Sequence, residues 1–396
     1  MMKNKLENGK IYIYPEGRID SGNAMQFEKD LFSALDAAPD AIPVLDAENL
    51  EYISSAGLRV LMKLRKRLNA PVKMENVSRD VYDILEVTGF SELLDVKKKL
   101  REISVDGCEM IGSGGFGRVY RIDPETIVKI YTPGITLDMV QQERDTAQKA
   151  FLAGVPTAIS YDVVKSGESY GVVYELLNAK TVAQIIDADR SRVTEMGTKS
   201  ANLLKTLHQI EIKKDALPNR KTEFLNWLPR VECVLEPSEA DEIRAFIESL
   251  PDRGTFLHGD FNSKNIMVQE NGEFILIDIG DAAIGHPVFD LAGLYLPYMF
   301  LPKSPMPKEE IKRLLGFHME DGPTMLEAMC RAYFEINDPA ELKRVMNEIL
   351  PVAQLMATYQ GTRRAGYDVE SMKRTSLIGI RQRLLPLIHA AQPLDF

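Results

Sequence analysis

The stretch FLHGDFNSKNIMV, Phe256–Val268, sets His258, Gly259 and Asp260 together and follows Asp260 with Asn265 five residues later. Asp278 comes thirteen residues further on, behind the apolar run FILI. Asp, Asn and Gly are good turn formers, so a plain turn between two strands accounts for the residue types. Chemistry on a phosphate accounts for the spacing as well. Mg²⁺ is a hard cation, usually held by one or two protein oxygens together with substrate phosphates. Asn265 and Asp278 suit that role, which leaves Asp260 to orient an attacking hydroxyl or to accept its proton.

A second constellation lies upstream. IGSGGFGRVY carries Gly112, Gly114 and Gly117 in a G-x-G-x-x-G arrangement. A dinucleotide site would need a helix directly after the glycines. The residues that follow, RVYRI, are strand formers without a helical period. The spacing therefore predicts a hairpin whose glycines let backbone N–H groups lie close over phosphates. Lys129 follows twelve residues after Gly117, in TIVKIY. It is either an exposed strand lysine or a cation for the α- and β-phosphates, and the second role needs an anionic partner. Glu143, in the helical stretch LDMVQQERDTAQKAFLAG, is the candidate, with Gln142 and Asp145 as its neighbours.

These groups need elements to position them. Residues 1–98 read as a small α/β unit. KIYIYPEGRI alternates apolar and polar and predicts a hairpin around Pro15 and Gly17. A helix over NAMQFEKDLFSAL and a strand in AIPVLDAENLEYI follow. SSAGLRVLMKLRKRL then puts Leu58, Leu61, Leu64 and Leu68 on one helix face, opposite a basic face. PVKMENV reads as a strand and RDVYDILEVTGF as a helix ending near Gly89, an order that predicts a helix-covered sheet. The charged run DVKKKL reads as a linker. Residues 99–177 are rich in strands. Residues 178–396 are largely helical, apart from a strand pair around HGDFNSKNIMV and EFILIDIGD, and the end from Pro307 onward reads as helices separated by prolines.

The chain's 396 residues imply two or three domains. A net charge of -10 argues against nucleic-acid or anionic-membrane partners, which attract basic patches. Cys108, Cys233 and Cys330 are odd in number and far apart, so a reducing cytoplasm is expected. The N-terminus lacks an apolar signal core, and no run of about 18 apolar residues predicts a membrane span. His208, His286, His318 and His389 show no metal spacing. Trp227 and the methionines read as core or pocket-lining residues.

Taken in order, the glycine loop, the lysine, H-G-D-x-x-x-x-N (His258–Asn265) and I-D-x-x-D (Ile277–Asp281) resemble the aminoglycoside phosphotransferase and choline kinase-like family. The resemblance covers about Val105–Phe396 and implies the bilobal protein-kinase fold. It implies ATP and Mg²⁺ as cofactors, Asp260 as the catalytic residue, Asn265 and Asp278 as metal ligands, and transfer of the γ-phosphate to a hydroxyl. In VVYELLNAKTV, backbone groups of Glu175 and Leu177 would contact adenine. GHPVFDLAGL is similar to the family segment in which Asp290 braces the catalytic loop, and His258 is a structural member of that loop. The chain has Gly259 where protein kinases carry Arg, and Asn262 where they carry Lys; Lys264 is a nearby cation that could reach the γ-phosphate instead. Only eleven residues separate Asp278 from Asp290. That leaves no room for a long peptide-docking loop and favours a small-molecule acceptor. Acidic residues in the helical part would favour a cationic one.

Residues 4–97 resemble the STAS domain of anti-sigma factor antagonists, through EGRIDSGNAMQFEKDL, VLDAENLEYI and LEYISSAGLRVLMKL. That resemblance implies a serine at the helix start phosphorylated by a partner switch kinase, with loss of partner binding. Ser55 is the residue, with Ser54 standing where the family has Asp. A serine there also serves as a helix N-cap. The expected fold is thus an α/β STAS-like sheet domain followed by an α+β bilobal kinase-like unit. Three functions compete: a small-molecule phosphotransferase regulated by a STAS module that binds an anti-sigma factor or switch kinase; a kinase acting on the STAS serine; and a non-catalytic nucleotide sensor.

Overall fold

The computed structural model describes residues 2–213, 216–364, 377–394 and 396. The chain divides into two compact units, Met1–Ser104 and Val105–Phe396.

In the first unit, strands β1 (Lys3–Glu7), β2 (Lys10–Tyr14), β4 (Ile42–Asp46), β6 (Lys73–Val77) and β7 (Asp95–Lys98) form one sheet in the order β1-β2-β4-β6-β7. β2, β4, β6 and β7 run parallel, and β1 is an antiparallel edge. Helices α1 (Ala24–Asp36), α2 (Ser55–Leu68) and α3 (Arg79–Val87) bury Leu31, Leu61, Leu64 and Leu85 with Ile13 and Leu45 of the sheet. Two sequence expectations are corrected. The hairpin turns at Asn8–Gly9, where both residues have positive φ (49° and 73°), not at Pro15–Gly17. Asn-Gly supplies the left-handed conformations that a two-residue turn requires. Past Pro15, β3 (Gly17–Ile19) leaves the sheet and pairs in parallel with β5 (Leu50–Ile53). The run DVKKKL is no linker, because Asp95–Lys98 is the edge strand β7. Its exposed lysines are what a sheet edge carries to discourage further pairing, and in sequence they look like a solvated connection. The short β8 (Arg101–Glu102) follows.

In the second unit, β9 (Glu109–Ser113), β10 (Gly117–Arg121), β11 (Thr126–Tyr131), β12 (Ser160–Ser166) and β13 (Ser169–Glu175) pair antiparallel in the order β12-β13-β11-β10-β9. Helix α4 (Leu137–Leu152) lies between β11 and β12 in the chain, capped by Thr136, whose hydroxyl accepts from the Met139 N–H. The remainder is helical: α5 (Val182–Ala188), α6 (Val193–Leu207), α7 (Arg220–Trp227), α8 (Pro229–Glu232), α9 (Pro237–Ser249), α10 (Val288–Gly293), α11 (Lys308–Leu315), α12 (Gly322–Phe334) and α13 (Pro339–Arg364). Leu204, Phe224, Phe256, Phe289, Tyr298, Leu326 and Ile349 are fully buried in its core. The predicted strand pair is present as β16 (Ile266–Gln269) and β17 (Phe274–Leu276), with Ile266 opposite Leu276. β14 (Ala179–Thr181) pairs with β16, and β15 (Thr255–Leu257) pairs with β18 (Ala283–Gly285). The helical expectation past Pro307 holds for α11 to α13, while residues 365–376 lie outside the described residues. Among the described residues no helix is long and apolar enough to cross a membrane.

Candidate active site

Lys129 sits in β11 between Val119 of β10 and Val172 of β13, the central position of the sheet. Its Nζ donates to Glu143 Oε1 at 2.8 Å and to Asp278 Oδ1 at 2.7 Å, joining residues 149 positions apart. Burial alone would lower the amine's pKa. The two carboxylates outweigh burial and hold Lys129 above its ordinary value, so it stays charged. Burial likewise acts to raise Asp278, but Lys129 outweighs it and keeps that carboxylate below its usual range. Gly280 makes the meeting possible: a Cβ there would lie 2.8 Å from Glu143 Cγ, so only glycine lets α4 press against the loop after Asp278. Burial pushes the neighbouring phenols of Tyr131 and Tyr174 up, and both remain neutral.

The glycine loop forms the turn between β9 and β10, as the strand-forming residues after it predicted. Its glycines differ in what they do. A Cβ at Gly117 would lie 2.4 Å from the Ile130 carbonyl, so this glycine lets β10 lie against β11. Gly114 and Gly115 face open space, with nothing within 4 Å of a built Cβ. They leave the loop tip bare rather than enabling any packing.

The catalytic-loop candidate, His258–Asn265, connects β15 to β16 and is anchored from several directions. The buried Asp290 of α10 accepts the backbone N–H groups of His258 and Gly259, both at 2.8 Å. His208 Nε2 pairs with Asp290 at 3.2 Å, and its Nδ1 pairs with the Tyr333 hydroxyl at 2.7 Å. The Ser263 N–H donates to the buried Tyr298 hydroxyl at 2.7 Å, and the Ser263 carbonyl accepts from Ala183 in α5. Gly259 has a φ of +83°, and a Cβ there would lie 2.0 Å from the Asp281 carbonyl and 2.5 Å from the Arg220 guanidinium. The buried Arg220 of α7 donates to that same Asp281 carbonyl and pairs with Glu223. A guanidinium thus reaches the back of the loop from α7, and the loop residue itself must be glycine.

Asp260 is exposed on this loop. Its Oδ1 accepts from Asn262 Nδ2 at 3.1 Å and its Oδ2 from Asn265 Nδ2 at 2.9 Å. Desolvation by the surrounding protein raises its pKa; the nearby His258 opposes this, while Asp278 and Asp281 add to it. Asp278 takes a left-handed conformation (φ 61°, ψ 54°), uncommon for a non-glycine residue and a device that turns the side chain out of the chain's path. The Ile277 N–H donates to the Asn265 carbonyl at 3.0 Å, which sets Asp278 beside Asn265. Among the described residues Asn265 Oδ1 and Asp278 Oδ2 have no hydrogen-bond partner, so each keeps a hard oxygen for a cation, the donor type that Mg²⁺ selects.

Glu175 ends β13, and its side chain accepts from the Ile159 N–H at 2.7 Å while its own N–H donates to the Ile159 carbonyl at 3.1 Å. The carboxylate therefore closes the strand end. The Leu177 carbonyl accepts from the Ala179 N–H. In the first unit, Ser54 caps α2, its hydroxyl accepting from the Gly57 N–H at 3.5 Å, while Ser55 is exposed at the helix start. Gly57 cannot carry a side chain, since a Cβ would lie 2.7 Å from Ile19 and from Ile53.

Lys129, Glu143 and Asp278 are therefore together, as are Asp260 and Asn265. Sequence reasoning missed Asn262, Arg220, His208 and Tyr298. Asn262 carried a signal, lying between Asp260 and Asn265 in one loop. The other three lie on distant elements, and nothing in their local sequence points to the loop they hold.

Residues 108–344 match the phosphotransferase enzyme family, and residues 3–103 match the STAS domain. A Bordetella bronchiseptica protein named as an anti-sigma factor antagonist, BtrV, is 32% identical over 92 residues, covering 22% of this chain and 78% of the relative. The streptomycin–ATP–APH(2″)-IIa ternary complex is 18% identical, with a TM-score of 0.45, covering 71% of this chain and 93% of that one. ADP-bound APH(2″)-Ib is 19% identical, with a TM-score of 0.44, covering 70% and 92%. The expected pairing of modules is borne out: the chain belongs to the phosphotransferase enzyme family, with a STAS domain preceding the family region.

Proposed function

We propose that this chain transfers the γ-phosphoryl group of ATP to a hydroxyl of a small molecule, with Mg²⁺ held by Asn265 and Asp278. The observation that carries the reading is the Lys129 amine, bonded at once to Glu143 and to Asp278. A charged lysine fixed from one side by Glu143 is aimed at the α- and β-phosphates. The bare tip around Gly114 covers the phosphates, Gly112 and Gly117 shape its strands, and backbone groups of Glu175 and Leu177 hold adenine where residues 99–177 pass into 178–396. Asn265 and Asp278 would hold the Mg²⁺, which would supply neutralisation of phosphate charge. Asp260, its two oxygens oriented by Asn262 and Asn265, receives the acceptor's proton. The acceptor oxygen bonds to the γ-phosphorus, the bond from that phosphorus to its bridging oxygen breaks, and ADP leaves with the electron pair. Asp260→Ala and Asp278→Ala each lower kcat by about a thousandfold or more. Full acceptor-stimulated ADP release in both variants refutes the reading.

The STAS domain in this reading binds a protein partner, an anti-sigma factor or a switch kinase, at the start of α2. Ser55 is exposed there. A phosphate on it adds about -1.5 to -2 charge at a helix N-terminus without refolding the domain. Intact-mass measurement after incubation with ATP tests whether the kinase unit itself modifies Ser54 or Ser55: an unchanged mass leaves that step to a separate kinase. The thiols of Cys108, Cys233 and Cys330 are free, which supports a reducing, cytoplasmic setting.

A further inference from the structure

In the phosphotransfer reading Lys129, Glu143 and the glycine loop serve the nucleotide, which leaves the helical part around Asp260 to meet the acceptor. The charge there is therefore informative. Lys264 lies four residues past Asp260, and Asn262 ties the two together: its Oδ1 accepts the Lys264 N–H at 2.9 Å while its Nδ2 donates to Asp260 Oδ1. The Lys264 stem rests on Gly316, where a built Cβ would lie 3.5 Å from Lys264 Cγ and 3.7 Å from Cδ. Gly316 ends α11, and its N–H bonds to the carbonyl of Lys312. Lys312 stands 3.4 Å from His318 Nε2 and 2.9 Å from Asp187 of α5. Asp187 is the acidic group facing this cluster, and it is already engaged by Lys312. The Lys264 amine is exposed and has no ion-pair or hydrogen-bond partner among the described residues. An exposed cation left unpaired four residues past the proposed base, on the same loop, is suited to hold an anion and repels a polycation.

We propose that the acceptor carries an anionic group, a carboxylate or a phosphate ester, close to the hydroxyl that is phosphorylated, and that Lys264 holds this group. This rests on the phosphotransfer reading above. It reverses the expectation, drawn from acidic residues in the helical part, of a cationic acceptor, and it gives Lys264 a different task from contacting the γ-phosphate. Gly316 takes a φ of +81°, and a Cβ there would lie 2.9 Å from the Ala183 Cβ but only in ordinary contact with the lysine stem.

The full chain is assayed for ADP release from ATP with glycerate, glycerol 3-phosphate, glycerol, choline and streptomycin as hydroxyl-bearing probes. The two anionic probes are expected to stimulate release, and their ratio distinguishes carboxylate from phosphate. Lys264→Glu is expected to raise the KM of the anionic probe about ten- to a hundredfold, the worth of one charge-assisted contact, with Lys264→Arg retaining most of the affinity. Stimulation by choline, streptomycin or glycerol alone overturns the inference and leaves the phosphotransferase reading standing. So does a Lys264→Glu defect confined to kcat or to the KM for ATP, which would make Lys264 a nucleotide ligand. If no probe stimulates release, the inference is again overturned. If ATP turnover is also unaffected by Asp260→Ala, the phosphotransfer reading falls with it.

Discussion

Two loops of the second unit both carry glycine, for opposite reasons. At Gly114 and Gly115 the glycine loop has empty space on every side of a built Cβ. At Gly259 the catalytic loop has none, with a backbone carbonyl 2.0 Å from where a Cβ would sit. The first loop is bare so that a ligand can occupy the space, and its tip Phe116 is 64% exposed. The second is bare so that protein can occupy it. Asp290, Tyr298 and Arg220 converge on the catalytic loop from three helical-region segments, fixing its backbone before any substrate arrives. Positioning a base to within a fraction of an ångström needs such support, whereas a phosphate cover must open and close.

If that contrast is right, substitutions in the two loops should separate stability from nucleotide affinity. Gly259→Ala is expected to be the most damaging, because it strains a φ of +83° and drives a methyl into the Asp281 carbonyl. A loss of about 3 kcal/mol or more in urea unfolding, together with loss of turnover, is expected. Asp290→Ala leaves two backbone N–H groups and His208 without their acceptor, and the same measurement should show a loss of about 3 kcal/mol.

Asp290 also sharpens the comparison through pH. Burial acts to raise its carboxyl, but His208, itself bonded to Tyr333, outweighs burial, with help from His258 and the Gly259 amide. The folded-state pKa therefore lies below the ordinary Asp value. The stability it contributes is fully present above that ordinary value and is lost as pH falls through the folded one. Denaturation across an acid series should show the gap between wild type and Asp290→Asn narrowing over that window. A constant gap would mean that Asp290 acts by shape alone.

Tyr298→Phe removes one buried acceptor, that of the Ser263 N–H, and should cost about 1–2 kcal/mol with a smaller fall in kcat. Gly114→Ala should change stability by less than about 0.5 kcal/mol, the usual effect at an open surface position, and raise the KM for ATP a few-fold. A large stability loss at Gly114 would erase the contrast between the loops.

Much of the site was legible in the chain's order. Asp260 and Asn265 were readable because both lie in one loop, where spacing survives folding. The strand character of RVYRI told a hairpin from a dinucleotide fold. Lys129 was readable as a lysine flanked by strand formers. DVKKKL misled because an edge strand and a solvated linker carry the same charges. The turn at Asn8–Gly9 was written in the strongest two-residue hairpin signal and was passed over for the proline and glycine that follow.

The sequence by itself determined which side chains could do chemistry and, through local periodicity, which elements carry them. Only the tertiary structure decided that Glu143 rather than Asp145 meets Lys129, because that choice rests on Gly280 admitting α4 to the loop after Asp278. Only it placed Arg220, His208 and Tyr298 behind the catalytic loop, and Lys264 on the corner at Gly316. Those contacts join residues far apart in the chain. Their identity follows from the packing of helices around a shared core, and no local pattern encodes it.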